Sequence, residues 1–303
     1  MHHHHKDLPL ATNRSSWTNL VLVFLLVVLG AFLGQLAASI LCFSDTRDVE
    51  AAVHTTLLQK RSLLILQAMT ASSAFIIAPL FYLYIFERQG IRKLFQWRQP
   101  YTVPMLITLG LVPAFMVANT WFIQWNMAIK LPDWLEVFEI RIQEKEAALR
   151  SITILFTSFH SLAELGMGFL VISLIPAIGE ELLFRGLVQN ICHKLTNNIH
   201  VAIGISAFLF SAMHLQFYSF VPRFLLGALF GYIYWWTKDL FFPMVAHLFN
   251  NTAILLALFL HQQGMIAQDI STPQALPGSI LLFFAALVIF LARLLQRQIK
   301  SVD

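Results

Sequence analysis

The sequence predicts an all-α, polytopic bundle of transmembrane helices with about eight spans. Three observations carry that prediction. Of 303 residues, 58% are hydrophobic and only 12% charged, whereas a soluble domain carries roughly 25% charged residues. The mean hydropathy is +0.70. Apolar runs of spanning length recur along the chain, and most lysines and arginines fall between them. Lipid leaves backbone groups no water to bind, so each run is read as a helix that satisfies its own peptides.

The runs lie at 18–43, 62–86, 103–126, 151–178, 201–217, 223–236, 243–261 and 277–292. The first, from Asn19 to Phe43, is too long for a signal-peptide core and is read as a retained span. The fifth and sixth are short and separated by little more than Pro222 and Arg223, which suggests a tight hairpin of tilted helices. The fourth extends past its apolar stretch, through Glu180 and Arg185, to about Asn190. Between the third and fourth runs, Trp134, Leu135, Val137, Phe138, Ile140 and Ile142 alternate with Asp133, Glu136, Glu139, Glu144 and Glu146. Segment 131–150 is therefore read as an amphipathic helix at the membrane surface or capping the bundle, with an extended connector as the alternative.

The chain thus divides into a polar tail (1–16), N-terminal spans with the amphipathic segment (17–150), a membrane core (151–293) and a basic tail (294–303). The His2–His5 run is set aside from the fold. With the N-terminus inside, 11 Lys/Arg fall on the inner side and 8 on the outer, Arg185 aside. That bias favours both termini inside. The formal charge of +4 comes with no basic run interleaved with aromatics, so no nucleic-acid partner is expected. Cys42 and Cys192 lie far apart, at the edges of apolar segments, and are read as packing residues. Gly227-x-x-x-Gly231 is a close-packing pattern.

Charges inside apolar runs carry the chemistry, because each costs a few kcal/mol at the bilayer centre unless paired or hydrated. Glu180 and Glu181 are adjacent, and Glu181 shares a helix face with Arg185 four residues on. One carboxylate is neutralised by the arginine. The other, Glu180, points about 100° away with no local partner and is suited to taking and returning a proton. His214 follows Phe210 by four at the end of the fifth run, and His247 precedes Asn251 by four in the seventh. Asn250, three residues on, is nearly as well placed as Asn251. Any one of these residues alone is explained by interhelical hydrogen bonding; together they form one polar site. Glu164 lies on the same run as Glu180, where His160 would be its partner.

The order Glu180-Glu181…Arg185, Phe210…His214, His247…Asn251 resembles the CAAX-protease and bacteriocin-processing family, the Abi group of intramembrane proteases. The resemblance covers roughly Leu170 to Leu260. It implies an endopeptidase in which Glu180 activates water and His214 assists. Glu181 and Arg185 would hold the geometry, and His247 with Asn251 would stabilise the oxyanion. The family is conventionally classed with metalloproteases, so a zinc held by Glu180, His214 and His247 is possible, although no H-E-x-x-H is present. The implied partners are the bilayer and a peptide or protein substrate, membrane-associated or not. The expected location is a bacterial inner membrane. A non-catalytic immunity or scaffold protein and a proton-coupled transporter are the rival readings.

Overall fold

The computed structural model describes residues 14–45, 55–87, 94–95, 102–159, 161–267 and 275–300; among these there are helices and no strand. Six described helices are long and apolar enough to cross a membrane: Ser16–Cys42, Lys60–Glu87, Thr102–Met127, Leu162–Thr196, Phe241–Gln262 and Gly278–Lys300. The protein is an integral membrane protein.

Helix α1 (Ser16–Asp45) packs on α2 (Thr55–Ser72) and its π-helical extension Ser73–Ile77. Gly30 and Gly34 make that contact possible: a Cβ on either would stand 2.6 Å from a backbone oxygen, of Ser73 and Met69 respectively. Small residues one turn apart thus let two backbones touch where lipid provides no hydrophobic drive. The second helix continues as α3 (Ala78–Tyr82), and α4 (Thr102–Met127) follows, packed on α12 (Gly278–Lys300). The described loop residues 94–95 include Leu94, whose carbonyl accepts from the Leu240 amide at 2.9 Å. Most of the intervening basic loop, with Arg88, Arg92, Lys93 and Arg98, lies outside the described residues.

The amphipathic segment is a helix, α5 (Glu136–Thr157), entered through a 3-10 turn at Asp133–Leu135. It runs seven residues beyond the boundary at 150, so the fourth run does not begin as a span at 151. The chain breaks into extended backbone at Ser158, and α6 (Leu162–Gly168) starts with the Ser161 side chain accepting from the Glu164 amide. Ser161-x-x-Glu164 has the sequence of a capping box and marks this true start. From α6 the helix passes through a π-helical stretch, Phe169–Leu174, into α7 (Ile175–Glu181). A second such stretch, Leu182–Val188, leads into α8 (Gln189–Thr196). Glu180 therefore sits in the middle of a 35-residue helix rather than near its end.

The two short runs are α9 (Ile199–Met213) and α10 (Phe220–Thr237), packed against each other as a hairpin. At 15 residues, α9 reaches only about 22 Å against a hydrocarbon core of roughly 30 Å. The α9–α10 turn therefore ends part-way up the bundle. Gly227 fits this packing: a Cβ there would lie 3.0 Å from the Phe210 ring. The last of the central helices is α11 (Phe241–Gln262). Two apolar clusters hold the bundle together. One is built on Leu182, Leu187, Phe210 and Tyr234, the other on Leu111, Phe230, Ile233 and Phe242.

Candidate active site

Between those two clusters lies the polar site. Arg185 is fully buried and is held on three sides. Its Nη1 donates to Glu181 Oε1 at 2.8 Å and its Nη2 to the Gly227 carbonyl of α10 at 2.7 Å. The guanidinium carbon lies 4.8 Å from the Phe210 ring centroid and 5.5 Å from that of Phe230. A buried arginine needs such partners, because taking a charge from water costs several kcal/mol; only its Nε is left without one. Its planar fork serves two acceptors at once, which an ammonium group would not match.

Glu181 Oε1 is shared. It also accepts from His247 Nδ1 at 2.8 Å, so the histidine of α11 is anchored to the same carboxylate as the arginine. The His247 ring stacks on Phe230 with centroids 5.0 Å apart and meets the Phe210 edge at 6.0 Å. With Nδ1 bound to Glu181, Nε2 is turned toward Glu180, 3.9 Å from Oε2. Glu180 is therefore not left without a partner, as the helix geometry alone suggested. It is 7% exposed, and it is attracted by His247, Arg185 and Arg223.

His214 closes α9. Its Nδ1 lies 2.8 Å from the Phe210 carbonyl, and its ring meets the Phe210 edge at 5.3 Å. A carbonyl only accepts, so Nδ1 carries the proton and Nε2 of the neutral ring is left as an acceptor. His214 is close enough to His247 and Arg223 to feel both charges. His214 and His247 share the Phe210 ring, their own rings lying 5.3 and 6.0 Å from it. Leu215, next in the turn, adopts a left-handed φ of 55°, a conformation that disfavours a branched side chain.

The asparagines behave differently from one another. Asn251 Nδ2 donates to the Ile172 carbonyl in the π-helical stretch at 3.4 Å, and its Oδ1 accepts from Asn250 at 3.2 Å. Asn251 lies one turn beyond His247 but makes no described hydrogen bond to the other five predicted residues. Its second amide hydrogen is still available. Glu164 is removed from the chemistry: it pairs with Lys60 of α2 at 2.6 Å, while His160 lies outside the described residues. The sequence reading missed Arg223, taking it as a helix boundary. It is the one charge within Phe220–Thr237, and the rule that singled out Arg185 would have found it.

Comparison with known proteins covers the same part of the chain. The family described as type II CAAX prenyl endopeptidase Rce1-like matches residues 162–253, the stretch that contains all six predicted site residues. Over that stretch the chain is similar to the CAAX-protease family. An uncharacterised Bacillus subtilis protein, YpbD, is 32% identical over 80 residues, which is 25% of this chain and 38% of that protein. The chain thus spans well under half the length of that curated relative. No solved structure matches.

A catalytic zinc takes three protein ligands and a water. Among the described residues no three His, Cys, Asp or Glu side chains are grouped to hold a metal ion. Glu181 is committed to Arg185 and His247, and two arginines already direct positive charge at Glu180. The described side chains of this site, as arranged, do not fit zinc.

Proposed function

We propose that this protein is an intramembrane endopeptidase that hydrolyses a peptide bond with water activated by Glu180. The observation that supports this best is the division of labour between adjacent carboxylates. Glu181 is locked to Arg185 and His247, while Glu180 makes only a 3.9 Å approach to His247 and remains available. The residues suit each step. Glu180 takes a proton from a water that the acceptor Nε2 of His214 orients, and the hydroxide attacks the peptide carbonyl carbon. The oxyanion that forms is met by His247 in its imidazolium form, whose Nδ1–H stays on Glu181 while Nε2–H donates, with Asn251 offering its remaining N–H. Glu180 then returns the proton to the amide nitrogen as the C–N bond breaks, leaving a new carboxylate and a new amine. A bacterial inner membrane, with both termini inside, is the proposed setting.

The test is a peptide library incubated with purified protein in detergent or liposomes, with new termini read by mass spectrometry. Wild type, Glu180→Ala and His214→Ala are compared. Cleavage by wild type that collapses in both variants is expected. Equal cleavage by all three would reject the mechanism and leave the family's non-catalytic readings.

A further inference from the structure

Arg223 occupies a position that helix stability does not explain. It lies in the first turn of α10, where the helix dipole already places partial positive charge and a cation is disfavoured. Its neighbour across the turn, His214, feels it as a repulsive charge. Nevertheless the guanidinium is firmly set. Its Nη2 donates to Gln216 Oε1 at 2.6 Å. The turn carrying both residues is clamped by α4: Asn126 accepts from the Val221 amide at 2.8 Å and donates to the Phe217 carbonyl at 3.1 Å. Asn119 donates to the Pro222 carbonyl at 3.1 Å. Arg223 is attracted by both Glu180 and Glu146 of α5, while Glu146 accepts from the Tyr218 amide at 2.9 Å. Its other terminal nitrogen, Nη1, is buried and has no hydrogen-bond partner. An unsatisfied buried donor on a charged group is costly. A rigid one beside Glu180 is a donor aimed at something the site receives.

We propose that Arg223 is a substrate-binding residue: its Nη1 donates to an oxygen of the bound peptide, either a C-terminal carboxylate or a main-chain carbonyl. This rests on the peptidase reading of the site and adds a residue that the three sequence motifs do not contain. Placed at the His214 end of the site, Arg223 fixes the peptide relative to Glu180 without exchanging a proton itself. It determines which peptides are held.

The experiment uses the full chain in detergent and a fluorescein-labelled hexapeptide pool made in two forms, free acid and C-terminal amide. Binding is read by fluorescence anisotropy and turnover by steady-state cleavage, for wild type, Arg223→Gln, Arg223→Lys and Gln216→Ala. Arg223→Gln is expected to weaken binding and raise KM about ten- to a hundredfold with kcat nearly unchanged, the range for losing a charge-assisted hydrogen bond. Arg223→Lys should recover part of that loss. Gln216→Ala, which loosens the guanidinium without deleting it, should move KM in the same direction by less, and it serves as the readout should Arg223→Gln fail to fold. A loss confined to the free acid assigns the contact to a carboxylate; an equal loss in both forms assigns it to a carbonyl. Wild-type binding of both forms by Arg223→Gln, or a fall in kcat at constant KM, would overturn the proposal. Arg223-dependent binding without Glu180-dependent cleavage would reject the peptidase reading while leaving this contact standing.

Discussion

Replacing Arg185 by Ala should be among the most damaging single changes in the molecule, and the structure says by how much. The side chain is 0% exposed and bridges two helical segments, α7 through Glu181 at 2.8 Å and α10 through the Gly227 carbonyl at 2.7 Å. Removing one partner of a buried ion pair leaves the other uncompensated, at about 3–5 kcal/mol. The lost contacts with Phe210 and Phe230 act in the same direction, without adding in full. Against a total stability of about 5–15 kcal/mol, Arg185→Ala should unfold at far lower denaturant. Tryptophan fluorescence during guanidinium titration in detergent measures it, the chain having 7 Trp. Arg185→Lys should recover little, because one ammonium group does not reproduce two divergent donors. The double variant Glu181→Gln/Arg185→Gln should be less destabilised than the sum of its singles. A loss below about 1 kcal/mol for Arg185→Ala, or full rescue by Lys, would refute the bridging role.

Three smaller perturbations test other joints. Gly227→Val places methyl groups where even a Cβ would lie 3.0 Å from Phe210; a destabilisation of about 1–3 kcal/mol and reduced cleavage are expected in the same titration and peptide assay. Leu215→Asn suits the left-handed φ of 55° better, so melting should be unchanged or higher by up to about 1 kcal/mol, with cleavage retained. Prolonged treatment with a zinc chelator should leave cleavage intact, since the donors do not fit the metal; loss of activity restored by zinc would contradict that.

The sequence made the membrane class legible, and it singled out the candidate residues because a charge in an apolar run has few explanations. Glu181 with Arg185 was read correctly from helical spacing alone, a local relation four residues apart. Relations between helices were not accessible in the same way. Nothing in the spacing says that His247 shares Glu181 with Arg185, or that Asn251 reaches the Ile172 carbonyl. The start of the fourth span was misplaced for a different reason. Hydropathy continues smoothly through 151–178, so only the Ser161-x-x-Glu164 signal marks the break. Arg223 was overlooked because it falls where two short runs meet, and a charge at a boundary looks like an interfacial one.

The central claim is that Glu180 is the proton-transfer group of a site whose other carboxylate is structural. The most direct measurement is kcat/KM for wild type and Glu180→Gln on one cleaved peptide, in the same liposomes, with matched unfolding curves. A near-isosteric amide preserves the packing of a residue only 7% exposed but takes no proton. The account predicts a fall of about 10²–10⁴-fold, the scale of general-base catalysis, with unfolding unchanged. A variant that folds normally and cleaves within tenfold of wild type would contradict it.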